Sequence, residues 1–148
     1  MLDAMGASYD RVLDLYAGSG ALGIEALSRG DGMADLVESD PAAAATIAAN
    51  LAATGFESRA TLHRLTAERA AGRLSGPYTL VLADPPYYDE GAPDVVRRLA
   101  ASPLVDEDTV LVFEHHRRRT VPDELGQLRL YRSRRHGDTM VSIYSGRE

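Results

Sequence analysis

Gly18-Ser-Gly20-Ala-Leu-Gly23 is the stretch that most restricts what this chain can fold into. It stands between a short apolar run, Arg11-Val-Leu-Asp-Leu-Tyr16, and a run of helix formers over residues 21–29 that Gly30 ends. A glycine turn between a buried strand and a helix is the opening unit of a parallel sheet. Gly18 permits the tight turn, Gly20 lets a ligand approach the backbone, and Gly23 lets helix and strand pack closely. The alternation continues. Residues 34–38 predict a second strand, and Pro41 opens a helix over 42–54 that stops at Gly55. A strand over 60–64, a helix over 66–74, a break at Ser75-Gly76-Pro77 and a strand over 78–83 follow. A helix over 92–102 and a strand over 109–114 complete the series. The period then changes to strict alternation over 127–132 and 139–144, with His136-Gly137-Asp138 between, which predicts an antiparallel hairpin. The expected fold is α/β and Rossmann-like. It has a seven-stranded, mostly parallel sheet, a C-terminal antiparallel hairpin and helices on both faces.

The chain has 148 residues, which suits a single domain over residues 1–148. It has no cysteine, which excludes a disulfide framework and a thiolate metal site. No apolar stretch reaches membrane-spanning length, and the first residues, Met-Leu-Asp-Ala-Met-Gly, lack a basic region followed by an apolar one. A cytoplasmic monomer with no membrane or metal partner is expected. The net charge of −6 is unevenly spread: residues 1–114 carry −10 and residues 115–148 carry +4. A basic last quarter on an acidic body is the asymmetry of a phosphate-facing surface.

In an open parallel sheet the ligand lies beyond the carboxyl ends of the strands, at the switch in strand order. Asp14, the Gly18–Gly20 turn, Glu38 and Asp84 all fall at such ends, so one site can hold them. Glu38 follows Gly18 by 20 residues and closes the next strand, where a carboxylate can accept from two ribose hydroxyls. The glycine pattern alone fits either a nicotinamide dinucleotide or S-adenosylmethionine. Asp14 favours the second, because a carboxylate repels a pyrophosphate and attracts an amine or a sulfonium. It could also simply cap the turn. Asp84-Pro85-Pro86-Tyr87 adds a carboxylate, a rigid turn and an aromatic ring at one strand end. Asp84 and the Pro85 carbonyl could each accept one N–H of an exocyclic amine, aim its lone pair and stabilise its developing charge. Tyr87 could stack on the base, with Tyr88 a second candidate. Asp40 suits a helix cap before Pro41. His115 and His116 point to opposite faces of a strand and lack a third ligand, so they belong with the arginines that follow to a basic surface. Arg129, Arg132, Arg134 and Arg135 extend that surface.

Four segments together resemble class I S-adenosylmethionine-dependent methyltransferases: Asp-Leu-Tyr-Ala-Gly-Ser-Gly-Ala-Leu-Gly (14–23), Val-Glu-Ser-Asp (37–40), Leu-Ala-Asp-Pro-Pro-Tyr (82–87) and His-Gly-Asp-Thr-Met-Val-Ser-Ile-Tyr (136–144). The C-terminal segment makes them similar, more narrowly, to the bacterial 16S ribosomal RNA guanine-N2 methyltransferases. The resemblance implies S-adenosylmethionine as cofactor and 16S ribosomal RNA or the small ribosomal subunit as partner. It implies that Gly18, Ser19 and Gly20 contact the methionine part of the cofactor, Asp14 anchors nearby and Glu38 binds the ribose. Thr66 and Ala67 fall at the adenine-edge position, where the family commonly has Asn or Asp. Asp84 and Pro85 would hold the amine, with Tyr87 stacked on guanine. The expected chemistry is direct in-line displacement with no covalent enzyme intermediate. Adenine N6 also offers an exocyclic amine, and a module that binds cofactor without catalysis is a further alternative. The family pattern includes a basic hairpin and a helix before the first strand. Here Met1 lies ten residues before Arg11, so that segment is expected to be missing.

Overall fold

The computed structural model describes residue 2 and residues 5–146. Five parallel-type strands carry the sheet: β1 (Arg11–Leu15), β2 (Met33–Val37), β3 (Ala60–His63), β4 (Leu80–Ala83) and β5 (Val110–His116). Helices α1 (Ala21–Ser28), α2 (Pro41–Thr54), α3 (Ala67–Arg73) and α4 (Ala92–Ala100) connect them. Three antiparallel strands finish the chain: β6 (Glu124–Leu125), β7 (Leu128–His136) and β8 (Thr139–Ser145). The sheet order is β3-β2-β1-β4-β5-β8-β7-β6.

This is the α/β sheet the sequence implies, with eight strands instead of seven. The extra strand, β6, pairs Glu124 with Arg129 and Leu125 with Leu128. Two residues are too few to show an alternation, so β6 leaves no periodic signal. Burial forms it: Leu125 and Leu128 both lie in the core, and the turn between them rests on the end of α4.

Successive residues of the central strands feed opposite faces. Leu13, Leu15, Val81, Leu111 and Phe113 pack under α3 and α4. Val12, Leu80, Leu82, Val110 and Val112 lie on the face of α1 and α2. Local chemistry sets the ends of α2. The Asp40 side chain accepts from the Ala43 N–H at 2.9 Å, Pro41 occupies the first turn, and Gly55 closes the helix with φ 77°. No helix among the described residues is long and apolar enough to cross a membrane.

The chain runs from β1 outward to β3, then returns to place β4 on the other side of β1. The switch in strand order therefore falls between β1 and β4. Their registers are level: Leu15 pairs with both Val37 and Ala83, and Ala83 pairs with Phe113. The residues that come next, Tyr16, Glu38, Asp84 and Glu114, consequently share one rim.

Gly126 and Gly55 both adopt left-handed backbone, at φ 58° and 77°. A Cβ on Gly126 would lie 2.3 Å from the Ala100 carbonyl oxygen, whereas one on Gly55 would meet nothing within 4 Å. Alanine at either position costs about 1–2 kcal/mol of backbone strain. Gly126→Ala should cost more, because backbone must also move. Urea unfolding should show a larger fall in midpoint for Gly126→Ala than for Gly55→Ala; equal falls would mean that the β6–β7 turn is not pinned to α4.

Candidate active site

A cavity of about 710 Å³ opens over the rim formed by Tyr16, Glu38, Asp84 and Glu114. One wall is the turn after β1. Gly20 begins α1 in left-handed conformation with no side-chain cap. The cap comes instead from below, where Asp14 Oδ2 accepts the Gly23 N–H at 2.9 Å. Asp14 is 1% exposed and does not line the cavity. Burial raises its pKa to about 7, against the lowering effect of the Gly23 N–H, and the charges of Asp84 and Glu38 raise it further. The capping role is therefore the one the geometry displays. A Cβ on Gly23 would lie 3.0 Å from Asp14 Oδ2 and 3.1 Å from Leu36 Cδ2, so the third glycine of the motif does allow close helix–strand packing.

Glu38 ties the turn to the next strand. Its Oε1 accepts the Gly18 N–H at 2.8 Å, and its Oε2 accepts the Asp40 N–H at 2.9 Å. Each oxygen keeps a second lone pair, and Glu38 and Gly18 both face the cavity. A Cβ on Gly18 would meet nothing within 4 Å, so the backbone there is open to an approaching group. Ser19 and Gly20 stand outside the lining. The Ser19 carbonyl accepts from Asn50 Nδ2 at 2.9 Å, which draws it towards α2. Thr66 and Ala67 lie at the start of α3 and do line the cavity, although the Thr66 hydroxyl is engaged as a cap for the Arg69 N–H at 3.3 Å.

The opposite wall is the turn after β4. Asp84, Pro85 and Tyr87 all reach the cavity. Tyr87 is half exposed, its hydroxyl is hydrogen-bonded to Thr139 Oγ1, and its ring meets His116 edge-on at 5.5 Å. The structure thus brings together Gly18, Glu38, Thr66, Ala67, Asp84, Pro85 and Tyr87, and leaves Asp14, Ser19 and Gly20 behind the wall.

Three further lining residues carry no site role assigned from the sequence: Tyr16 and Thr139 lie within quoted motifs, and Glu114 lies in none. Tyr16 adopts φ 64° and presents a buried hydroxyl that has no hydrogen-bond partner among the described residues. Burial raises its pKa, with Asp89 and Glu68 adding to the effect. Thr139 opens β8 and holds Tyr87. Glu114 lies beside Asp84 because β4 and β5 run in level register. Burial, the neighbouring Asp84 charge and a hydrogen bond with Asp84 raise its pKa to about 7. Burial raises Asp84 as well. Only strand register could have revealed Glu114, since it is 30 residues from Asp84.

A nucleoside cofactor with a cationic centre fits this donor set. The cavity offers an open glycine backbone and several carboxylates, which suit hydroxyl and amine donors and a positive charge.

The Escherichia coli ribosomal RNA small subunit methyltransferase D is 28% identical over 132 residues, covering 89% of this chain and 66% of that protein. The Bacillus subtilis protein YlbH is 36% identical over 140 residues, covering 93% of this chain and 76% of YlbH. A tRNA1(Val) (adenine(37)-N6)-methyltransferase of Edwardsiella ictaluri is 33% identical over 90 residues, covering 61% of this chain and 35% of that protein. A solved structure of a conserved hypothetical protein from Streptococcus pyogenes superposes with TM-score 0.89 at 38% identity, covering 99% of this chain and 92% of that one. Sheet order, rim and relatives together define a class I S-adenosylmethionine-dependent methyltransferase. Within that class the chain belongs to the family described as conserved hypothetical protein 95, whose profile matches residues 1–145.

Because Asp14 is raised from its ordinary 3.8 to about 7, the folded protein keeps a proton there that the unfolded chain has released. This contribution is fully present below pH 3.8 and is lost as pH rises to about 7. Asp14→Asn retains an acceptor for the Gly23 N–H and removes the titration. Urea midpoints at about pH 5 and about pH 8 should therefore differ less in Asp14→Asn than in the wild type. An unchanged difference would show that Asp14 is ionised throughout.

Proposed function

We propose that the protein transfers a methyl group from S-adenosylmethionine to the exocyclic N2 amine of a guanine in 16S ribosomal RNA. The observation that carries this reading is one cavity bounded on one side by Gly18 and Glu38 and on the other by Asp84-Pro85-Pro86-Tyr87. S-adenosylmethionine supplies a methyl group on an electrophilic sulfonium. Gly18 and Glu38 would hold its methionine and ribose parts, and Thr66 and Ala67 stand where its adenine edge would lie. The raised Asp14 sits behind this wall, where its contribution is to fix the turn.

The amine of a base is a weak nucleophile because its lone pair is delocalised into the ring. Asp84 and the Pro85 carbonyl would accept its two N–H groups, which directs the lone pair out of the ring plane and stabilises the positive charge that builds on nitrogen. An ionised carboxylate at Asp84 would then take the proton that the methylated amine releases. Tyr87, fixed by Thr139 and His116, offers an exposed ring on which the base can stack.

Delivery of RNA falls to the C-terminal hairpin. β7 is exposed from Tyr131 to His136. Arg132 pairs with Ile143 and Arg134 with Val141, so the two arginines share a face. His136 pairs with Thr139, which in turn holds Tyr87, so this basic strand ends at the cavity mouth.

Labelled S-adenosylmethionine and unmodified 30S subunits provide the test. Nucleoside analysis should find the label in N2-methylguanosine. Label in N6-methyladenosine would select the adenine reading, which the tRNA1(Val) relative favours. Binding of S-adenosylmethionine with no transfer would select a module without catalysis. Asp84→Ala should lower transfer by roughly a hundredfold to a thousandfold while S-adenosylhomocysteine binding by calorimetry is unchanged. Transfer at the wild-type rate would remove Asp84 from the site.

Paired Arg132→Ala and Arg134→Ala substitutions should weaken RNA binding across sequences and flatten its dependence on salt by about one unit of slope per lost phosphate contact. Binding with unaltered slope would place the phosphates elsewhere.

A further inference from the structure

Glu114 has no part in the reaction as described so far, yet it shares the floor of the cavity with Asp84. Parallel pairing of β4 with β5 sets Ala83 against Phe113, so the two carboxylates stand side by side at the next position. Their proximity shows in the Glu114 pKa, which the Asp84 charge raises after burial. They form two adjacent acceptors within one cavity, at the point where Asp84 and Pro85 would meet the amine of a base.

The two purines differ at that edge. Guanine carries its amine next to a ring N1–H, so it presents neighbouring donors. Adenine carries its amine next to a ring N1 with a lone pair, so it presents a donor beside an acceptor. A second carboxylate beside Asp84 matches the first pattern and opposes the second, because an acceptor would face an acceptor. We propose that Glu114 is a specificity-determining residue: it accepts the ring N1–H of the target base and so selects guanine over adenine. This rests on the methyltransferase reading above and deepens it.

Burial is the first cause of the raised pKa of each carboxyl; the Asp84 charge raises Glu114 further, whereas the Glu114 contact acts to lower Asp84. A base with two N–H groups supplies the donors directly. Few other groups act on Glu114. From β4 it faces Asp84, and from β8 its register partner is Val141, which does not titrate. Beyond Val141 the same row reaches Arg134 of β7. On its own strand His116 packs against Tyr87, and buried His115 is hydrogen-bonded to Ser142. Across the cavity stand Tyr16, Glu38 and Asp89.

The experiment uses a synthetic RNA fragment that carries, at the nucleotide modified in 30S subunits, either guanine or 2-aminopurine. 2-Aminopurine keeps the amine on C2 and lacks the N1–H. Wild-type kcat/KM should favour guanine by on the order of tenfold to a hundredfold, the value of one hydrogen bond to a charged acceptor. Glu114→Ala should bring the ratio close to one, chiefly by loss on guanine. Glu114→Gln retains a neutral carbonyl acceptor and should restore part of the preference. The wild-type ratio should also shrink below about pH 7, where Glu114 takes up a proton and can donate to the N1 of 2-aminopurine. S-adenosylhomocysteine binding and the circular dichroism spectrum, unchanged in both variants, exclude misfolding as the cause. A guanine preference that survives Glu114→Ala overturns the inference and leaves the proposed function intact. A wild-type protein that methylates adenine alone, or no RNA at all, overturns the proposed function and this inference with it.

Discussion

The level register of four parallel strands is the constraint on which the site depends. Leu15, Val37, Ala83 and Phe113 stand in one row across β2, β1, β4 and β5. Hydrophobic packing fixes that row, because all four side chains lie in the core beneath α3 and α4. A slip of one residue in any strand would exchange the side chains fitted beneath α3 and α4 with those fitted against α1 and α2. The polar residues that follow therefore inherit a position dictated by the core. Tyr16, Glu38, Asp84 and Glu114 meet at a common rim although they come from four separate parts of the chain.

Two carboxylates then convert the rim into a defined pocket. Asp14 caps α1 from the strand below, and Glu38 grips the Gly18 N–H from the strand beside it. The glycine turn is thus held from beneath and from the side, while its open face stays towards the cavity. Both acceptors meet backbone N–H groups near the start of α1, where orphan donors and the positive end of the helix dipole favour negative charge. The desolvation that raises Asp14 is the cost of placing one of them fully indoors.

Much of this was legible in the sequence because it is local. The strand–turn–helix alternation, the Pro41 and Gly55 limits of α2, the glycine turn and the final hairpin each arise from neighbouring residues. Asp84-Pro85-Pro86-Tyr87 was visible for the same reason. What escaped is non-local. Glu114 matters only beside Asp84, and Thr139 only beside Tyr87; both adjacencies exist once the strands pair. β6 escaped because a two-residue strand has no period and depends on burial against α4. Asp14 shows a different limit. The sequence allowed it either to face a cation or to cap the turn, and strand alternation turns it inward beneath α1, where it caps.

The uneven charge along the chain acquires a spatial meaning. The acidic body contributes the cavity carboxylates Glu38, Asp84, Asp89 and Glu114. The basic last quarter contributes the exposed arginines of β7, which end at the same mouth. An RNA substrate presents two opposite requirements: its backbone is anionic, while the reacting edge of a guanine consists of N–H donors. A uniformly basic site would attract the phosphates but leave the amine without acceptors. A uniformly acidic one would accept the amine but repel the strand that carries it. On the proposed reading, placing the arginines on the exposed hairpin and the carboxylates in the cavity assigns the two requirements to different surfaces. On the same reading, proximity of the two surfaces, through Thr139 and Tyr87, would determine which nucleotide of a bound strand can reach Asp84 and Glu114.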